Sequence, residues 1–97
     1  MINKLNRELR MTSSFKRDVK RYKKRNKDIE KLYDVVEKII NDEKLDEKYR
    51  DHALVNSREY KNARECHIEP DWLLVYRFED GMMVLLLLKT GTHSDLF

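Results

Sequence analysis

The chain has 97 residues, enough for one compact domain with a modest core and too few for two. Apolar residues make up 40% and charged residues another 40%, which excludes wholesale disorder and suits a small folded protein with a heavily solvated surface. The net charge of +3 conceals an asymmetry: residues 1–27 hold 11 Lys or Arg against Glu8 and Asp18, a balance of +9, and the remainder carries −6. A basic segment of that density meets polyphosphate or an acidic partner, or is simply a solvated helix face; charge alone leaves both readings open.

The apolar runs Trp72 to Tyr76 and Met82 to Leu88 are far shorter than the roughly 20 residues a membrane helix needs. The start, Met1-Ile2-Asn3-Lys4, runs into charge without an apolar signal core. No membrane association and a cytoplasmic location are therefore expected. The lone Cys66 has no internal disulfide partner, which fits a reducing compartment.

In chain order, Leu9 to Met11 is expected to form a short first strand, with Thr12, Ser13 or Ser14 capping the helix that follows. Phe15, Val19 and Tyr22 recur at helical spacing, and Lys16, Arg17, Lys20, Arg21, Lys24 and Arg25 occupy the other faces. This predicts a helix ending near Asn26 with a broad cationic surface. A second helix, capped by Asp28, is predicted from Ile29, Leu32, Tyr33, Val36, Ile39 and Ile40. The short Asn26-Lys27 link makes the two an antiparallel hairpin. Residues 41–58 are polar and irregular, a long loop with one helical turn anchored by Leu45, Tyr49 and Leu54. Three strands follow, over Tyr60 to Cys66, Trp72 to Phe78 and Met82 to Thr90. Asp80-Gly81 signals a two-residue hairpin between the last two. The apolar run Val84 to Leu88 reads as a central strand.

This order predicts one α+β domain spanning residues 1–97, an N-terminal helix hairpin packed on an antiparallel sheet of about four strands.

All three histidines fall in the second half, in polar settings near element edges: Asp51-His52-Ala53, Cys66-His67-Ile68 and Thr92-His93-Ser94. Histidine is the commonest proton carrier in catalysis. A metal site is not expected, because Cys66 and His67 are adjacent and point to opposite faces of a strand, and no Cys-x-x-Cys or His-Glu-x-x-His pattern occurs. General acid–base chemistry on a phosphodiester instead needs a proton acceptor, a proton donor and cations for the developing charge. His67, Asp71, His93, Arg64 and Lys89 supply those types, with no cofactor.

Two stretches carry a family resemblance: Arg64-Glu65-Cys66-His67-Ile68-Glu69-Pro70-Asp71-Trp72-Leu73-Leu74-Val75-Tyr76, and Leu87-Leu88-Lys89-Thr90-Gly91-Thr92-His93-Ser94-Asp95-Leu96-Phe97. Together they resemble the YafQ branch of the RelE toxin superfamily, and the likeness extends more weakly over Tyr49 to Leu54 and both helices. It implies a microbial-RNase-type fold. It also implies a toxin of a type II toxin–antitoxin system that cleaves mRNA in the ribosomal A site, the 2′-hydroxyl attacking its own phosphate without a metal. The implied partners are the ribosome, mRNA and a cognate antitoxin from a neighbouring gene, in a heteromeric complex.

By motif position, the resemblance carries roles in cleavage or substrate positioning onto His52, His67, Asp71, Trp72, His93 and Phe97. His93 would be the general acid, and Asp71 or His67 the base or its orienting partner. Trp72 and Phe97 would stack on bases or close the core. Arg64, Lys89, Lys20, Arg21 and Lys24 would contact substrate phosphates. Three features depart from the family pattern. Ala53 replaces a usual proline, and the His52–His67 stretch is about two residues longer, with Asn56 and Asn62 where glycines are common. Lys89 stands where arginine is usual, keeping the charge but not the bidentate grip on phosphate. Two non-catalytic readings compete: a superfamily member that poisons a topoisomerase by binding, and an RNA-binding module acting through the first helix.

Overall fold

The computed structural model describes all of residues 1–97. Its elements are β1 (Glu8–Met11), α1 (Ser13–Lys24), α2 (Ile29–Ile40), a 3-10 turn (Glu47–Tyr49), β2 (His52–Ala53), β3 (Arg64–Glu69), β4 (Trp72–Glu79), β5 (Val84–Gly91) and α3 (His93–Leu96). The helix hairpin forms as the sequence dictates. Thr12 caps α1 by accepting the Phe15 N–H at 3.0 Å, and its hydroxyl also donates to Leu88 O at 2.8 Å, tying the helix start to β5. Asp28 caps α2 by accepting the Glu30 N–H.

The sheet differs from the expected one in two respects. It has five strands in the order β1-β5-β4-β3-β2, and it is mixed, because β1 runs parallel to β5 with Leu9 opposite Leu85. The helix hairpin carries the chain back across the sheet after β1, so β1 and β5 point the same way. The additional strand is β2, two residues in the long loop that pair His52 with Glu65 and Ala53 with Arg64. β5 is interior, flanked by β1 and β4, and the middle strand is β4.

Two further boundaries move. The third strand starts at Arg64 rather than Tyr60, because Asn62 adopts a left-handed conformation (φ 57°) and turns Tyr60 and Ala63 under the sheet. The β4–β5 connection spans Asp80 to Met83 rather than two residues. Asp80, Gly81 and Met82 all take positive φ, and the Met83 N–H closes the turn on Asp80 O at 3.0 Å.

Hydrophobic burial occurs on both faces of the sheet. On one face Phe15, Val19 and Tyr22 of α1 and Leu32, Val36 and Ile40 of α2 pack against Cys66, Trp72, Leu74, Tyr76, Leu85 and Leu87. On the other, Leu73 and Val75 are covered by Tyr60, Ala63 and Leu96. That second face is only thinly roofed, by the loop before β3 and by α3, and the histidines gather on it.

Candidate functional site

Strand alternation turns Cys66 and Ile68 toward the helices, and Glu65 and His67 to the opposite face. Register then adds His52, which lies directly opposite Glu65. His93 arrives from the chain end as the first residue of α3. A reciprocal cap fixes that short helix: Thr92 Oγ1 accepts the Asp95 N–H and Asp95 Oδ2 accepts the Thr92 N–H, each at 3.2 Å. Gly91 permits the fold-back, since a Cβ there would meet Asp95 Cβ at 3.1 Å.

These elements bring all three histidines to one carboxylate. Glu65 Oε1 lies 3.8 Å from His52 Nε2, 3.8 Å from His67 Nε2 and 3.9 Å from His93 Nε2. The Glu65 side chain is 4% exposed, whereas that of His93 is 58% exposed. The buried acid thus forms a floor, with the buried His67 ring beside it and the half-exposed His52 and His93 rings at its rim.

Two of the rings are held by their other nitrogen. His52 Nδ1 is 2.7 Å from Arg50 O and His67 Nδ1 is 3.1 Å from Pro70 O. A carbonyl only accepts, so Nδ1 carries the proton in both, and each Nε2 is turned toward Glu65. The His67 and His93 rings are 6.0 Å apart. No group of three His, Cys, Asp or Glu side chains has its donor atoms placed to share a metal ion.

Among the aromatic candidates, Phe97 is 60% exposed and lies 6.1 Å from the His93 ring, edge-on to Tyr60. It leaves a ring surface open beside the histidines. Trp72 does not. It is 1% exposed, lies tilted against the Tyr22 ring with centroids 5.3 Å apart, and donates its indole N–H to Thr90 Oγ1 at 2.8 Å. The base-stacking expectation for Trp72 is therefore corrected: the ring is buried and offers no open face to a base.

Arg64 is also displaced from its expected role. It projects to the helix face, opposite Glu65, and pairs with Asp51 at 3.1 Å; the hydrogen bond to Asp51 raises its pKa further. Lys89 Nζ is 3.3 Å from Asp18, so its charge already has a carboxylate partner. Asp71 is exposed in the β3–β4 turn and forms no ion pair with a histidine; Glu65 holds the place among the imidazoles that Asp71 was expected to fill.

Lys20 and Lys24 stand exposed on α1, whereas Arg21 is drawn into an ion pair with Asp18 at 3.2 Å. Asp95 has its carboxyl held below the usual range chiefly by the Thr92 backbone hydrogen bond, with Arg21 and Arg25 adding to the effect.

Sequence reasoning missed Glu65 and Asp18. The signal for Glu65 was the spacing of Glu65 and His67, two residues apart on a strand and hence on one face. Asp18 was visible as the one carboxylate inside a basic helix.

A profile of the family described as bacterial toxin of type II toxin–antitoxin system, YafQ, matches residues 7–97. The mRNA interferase toxin YafQ of Escherichia coli strain B / BL21-DE3 is 38% identical over 94 residues, covering 96% of this chain and 98% of the relative. Among solved structures, a metal-bound toxin from Helicobacter pylori superposes with a TM-score of 0.86 at 37% identity, covering 93% of this chain and 98% of that one. The E. coli DinJ–YafQ complex gives 0.82 at 39% identity, covering 94% and 98%. Fold and near full-length similarity agree, and the chain belongs to the YafQ family of type II toxin–antitoxin toxins.

Proposed function

We propose that this chain is a ribosome-dependent endoribonuclease that cuts mRNA in the A site by general acid–base catalysis, residues 1–97 acting as one catalytic unit. The observation that carries the reading is the convergence of three imidazoles on the buried Glu65 carboxylate, at 3.8 to 3.9 Å. Its relatives from E. coli are named mRNA interferase toxins. A topoisomerase-binding or RNA-binding module has no use for such a cluster.

In this reading a base removes the proton from an mRNA 2′-hydroxyl. The freed oxygen bonds to the adjacent phosphorus, the bond to the 5′ oxygen breaks, and an acid protonates that leaving oxygen. His52 and His67 face Glu65 with Nε2 and are the candidate bases, with Glu65 stabilising the imidazolium that forms. His93, the most exposed of the three, is the acid. Phe97 offers a stacking surface for a neighbouring base, and Lys20 and Lys24 attract the ribosomal RNA backbone. Lys89 and Arg64 would serve substrate only by leaving Asp18 and Asp51.

The partner proposed for control is a cognate antitoxin encoded beside this gene, as DinJ accompanies YafQ in the E. coli complexes. An acidic or amphipathic segment would complement the +9 balance of residues 1–27. The setting is the cytoplasm, where ribosomes and mRNA meet; no helix here is long and apolar enough to cross a membrane. The test is purified protein with translating ribosomes and a defined mRNA, mapping 5′ ends. Cuts confined to the A-site codon, and slowed roughly a hundredfold in His93→Ala, are expected. Absence of cutting by the folded wild-type protein overturns the reading.

A further inference from the structure

Three histidines must be held at one carboxylate, yet they are held very unequally. His67 sits inside β3, and His93 is fixed by the α3 cap. His52 has neither support: β2 is an edge strand of two residues, and the His52 side chain is half exposed. A two-residue ladder does not fix a side chain by itself. The neighbouring residue supplies what is missing.

Asp51 points to the helix face, away from His52, as alternation along an extended segment requires. There its Oδ1 accepts the Tyr76 hydroxyl at 2.5 Å, and its two oxygens accept from Arg64 at 3.4 and 3.1 Å. Tyr76 is 2% exposed on the middle strand and lies directly opposite Arg64 in the β3–β4 register. The anchor is thus built on the buried middle strand of the sheet. Arg50, just before it, adopts the left-handed conformation (φ 50°, ψ 42°), which a non-glycine residue takes only when its surroundings impose it. That twist aims Arg50 O at His52 Nδ1.

We propose that Tyr76, Asp51 and Arg64 are positioning residues that clamp the Arg50–His52 segment from the helix side and so aim His52 Nε2 at Glu65 on the opposite face. For its catalytic consequence this rests on the nuclease reading; the positioning itself does not. It also gives Arg64 a task in place of phosphate binding. The clamp lines a cavity of about 570 Å³ together with Leu45 and Phe78, so it is separated from the substrate side by the sheet itself.

The test uses the full chain and Tyr76→Phe, which removes one oxygen and keeps the ring in the core. Imidazole nitrogen NMR should show His52 in the wild type with a fixed Nδ1–H signature. In Tyr76→Phe that signature should move toward tautomer averaging, while those of His67 and His93 stay put. Arg64→Gln, a half-exposed substitution with no core consequence, should move it the same way by less. An unchanged His52 signature in both variants overturns the clamp.

In ribosome-dependent cleavage, Tyr76→Phe should slow single turnover about tenfold, the scale of one charge-assisted hydrogen bond. In a His52→Ala background it should add no more than about twofold, because residues that act through one another are not additive. Fully additive losses overturn the positioning role. If His52→Ala itself leaves cleavage intact while Tyr76→Phe still shifts the His52 signal, the clamp stands and the catalytic use of His52 falls.

Discussion

The carboxylate of Asp18 on α1 accepts the backbone N–H of Thr90 on β5 at 3.2 Å, a bond between a helix and a strand 72 residues apart. Asp18 is 2% exposed, and Arg21 and Lys89 complete its shell at 3.2 and 3.3 Å. Thr90 in turn accepts the Trp72 indole N–H and donates its hydroxyl to Leu73 O. Removing the acid leaves a buried N–H without its acceptor and two partly exposed cations without their counterion. Asp18→Ala should therefore cost about 3 kcal/mol, and Asp18→Asn about half as much, since the amide oxygen still accepts from Thr90. Urea midpoints measure both; a loss under about 1 kcal/mol for Asp18→Ala would show the network to be dispensable.

Site chemistry should separate cleanly from core packing. Glu65→Gln and His93→Ala should each lower ribosome-dependent cleavage by roughly a hundredfold, the usual contribution of a proton-transfer group, with circular dichroism unchanged. Equal activity in Glu65→Gln would remove Glu65 from the mechanism.

The two aromatic candidates should behave oppositely. Trp72→Phe should lower the melting temperature, through loss of the Thr90 hydrogen bond and of buried ring area, and leave cleavage unaffected at temperatures where it is folded. Phe97→Ala should leave the melting temperature nearly unchanged and raise KM for ribosome-bound mRNA. The reverse pattern would return Trp72 to the substrate side.

The exposed cations of α1 should act through salt-sensitive attraction. Lys20→Glu with Lys24→Glu should weaken ribosome binding and flatten its dependence on salt concentration, because fewer counterions are released on association. Arg21 is left in place in this experiment because of its ion pair with Asp18. Co-sedimentation across a salt series reads the slope; an unaltered slope would make this face ordinary solvated surface.

Acid should lower stability modestly through identifiable surface carboxylates. The hydrogen bond from Arg7 holds the Asp42 carboxyl below its ordinary value. Hydrogen bonds from Lys31 and Lys27 do the same for Glu69, and the Thr92 backbone for Asp95. Each is more readily ionised folded than unfolded. The stability it contributes is therefore complete above the unfolded carboxylate range and is lost as pH falls through the lower, folded value. Urea midpoints followed from pH 6 to pH 2.5 should fall most steeply there, and less steeply in Asp42→Asn.

The helix hairpin was legible because it depends on local spacing and caps: Phe15, Val19 and Tyr22 face the core, and Thr12 and Asp28 cap as expected. The parallel β1–β5 pairing was not, because nothing in Glu8–Met11 specifies which distant strand it meets. The three histidines were legible by residue type. Their common centre was not, since Glu65 is revealed only when β2 and α3 are folded onto β3. Asp71 and Arg64, neighbours of His67 in sequence, were drawn away from it by a turn and by strand alternation. Trp72 carries a motif position and a core position at once, and only its contacts with Tyr22 and Thr90 distinguish them.

The parallel pairing of β1 with β5 has a consequence for biosynthesis. The cationic helix emerges from the ribosome early, but the strand it packs on is translated last, and His93 later still. Until then β1 has no partner, Asp18 has no Thr90 to bind, and Glu65 faces at most two imidazoles. Contacts of such long sequence separation form late and as a unit. A growing chain therefore lacks both its closed sheet and its full set of imidazoles until its last residues have left the ribosome.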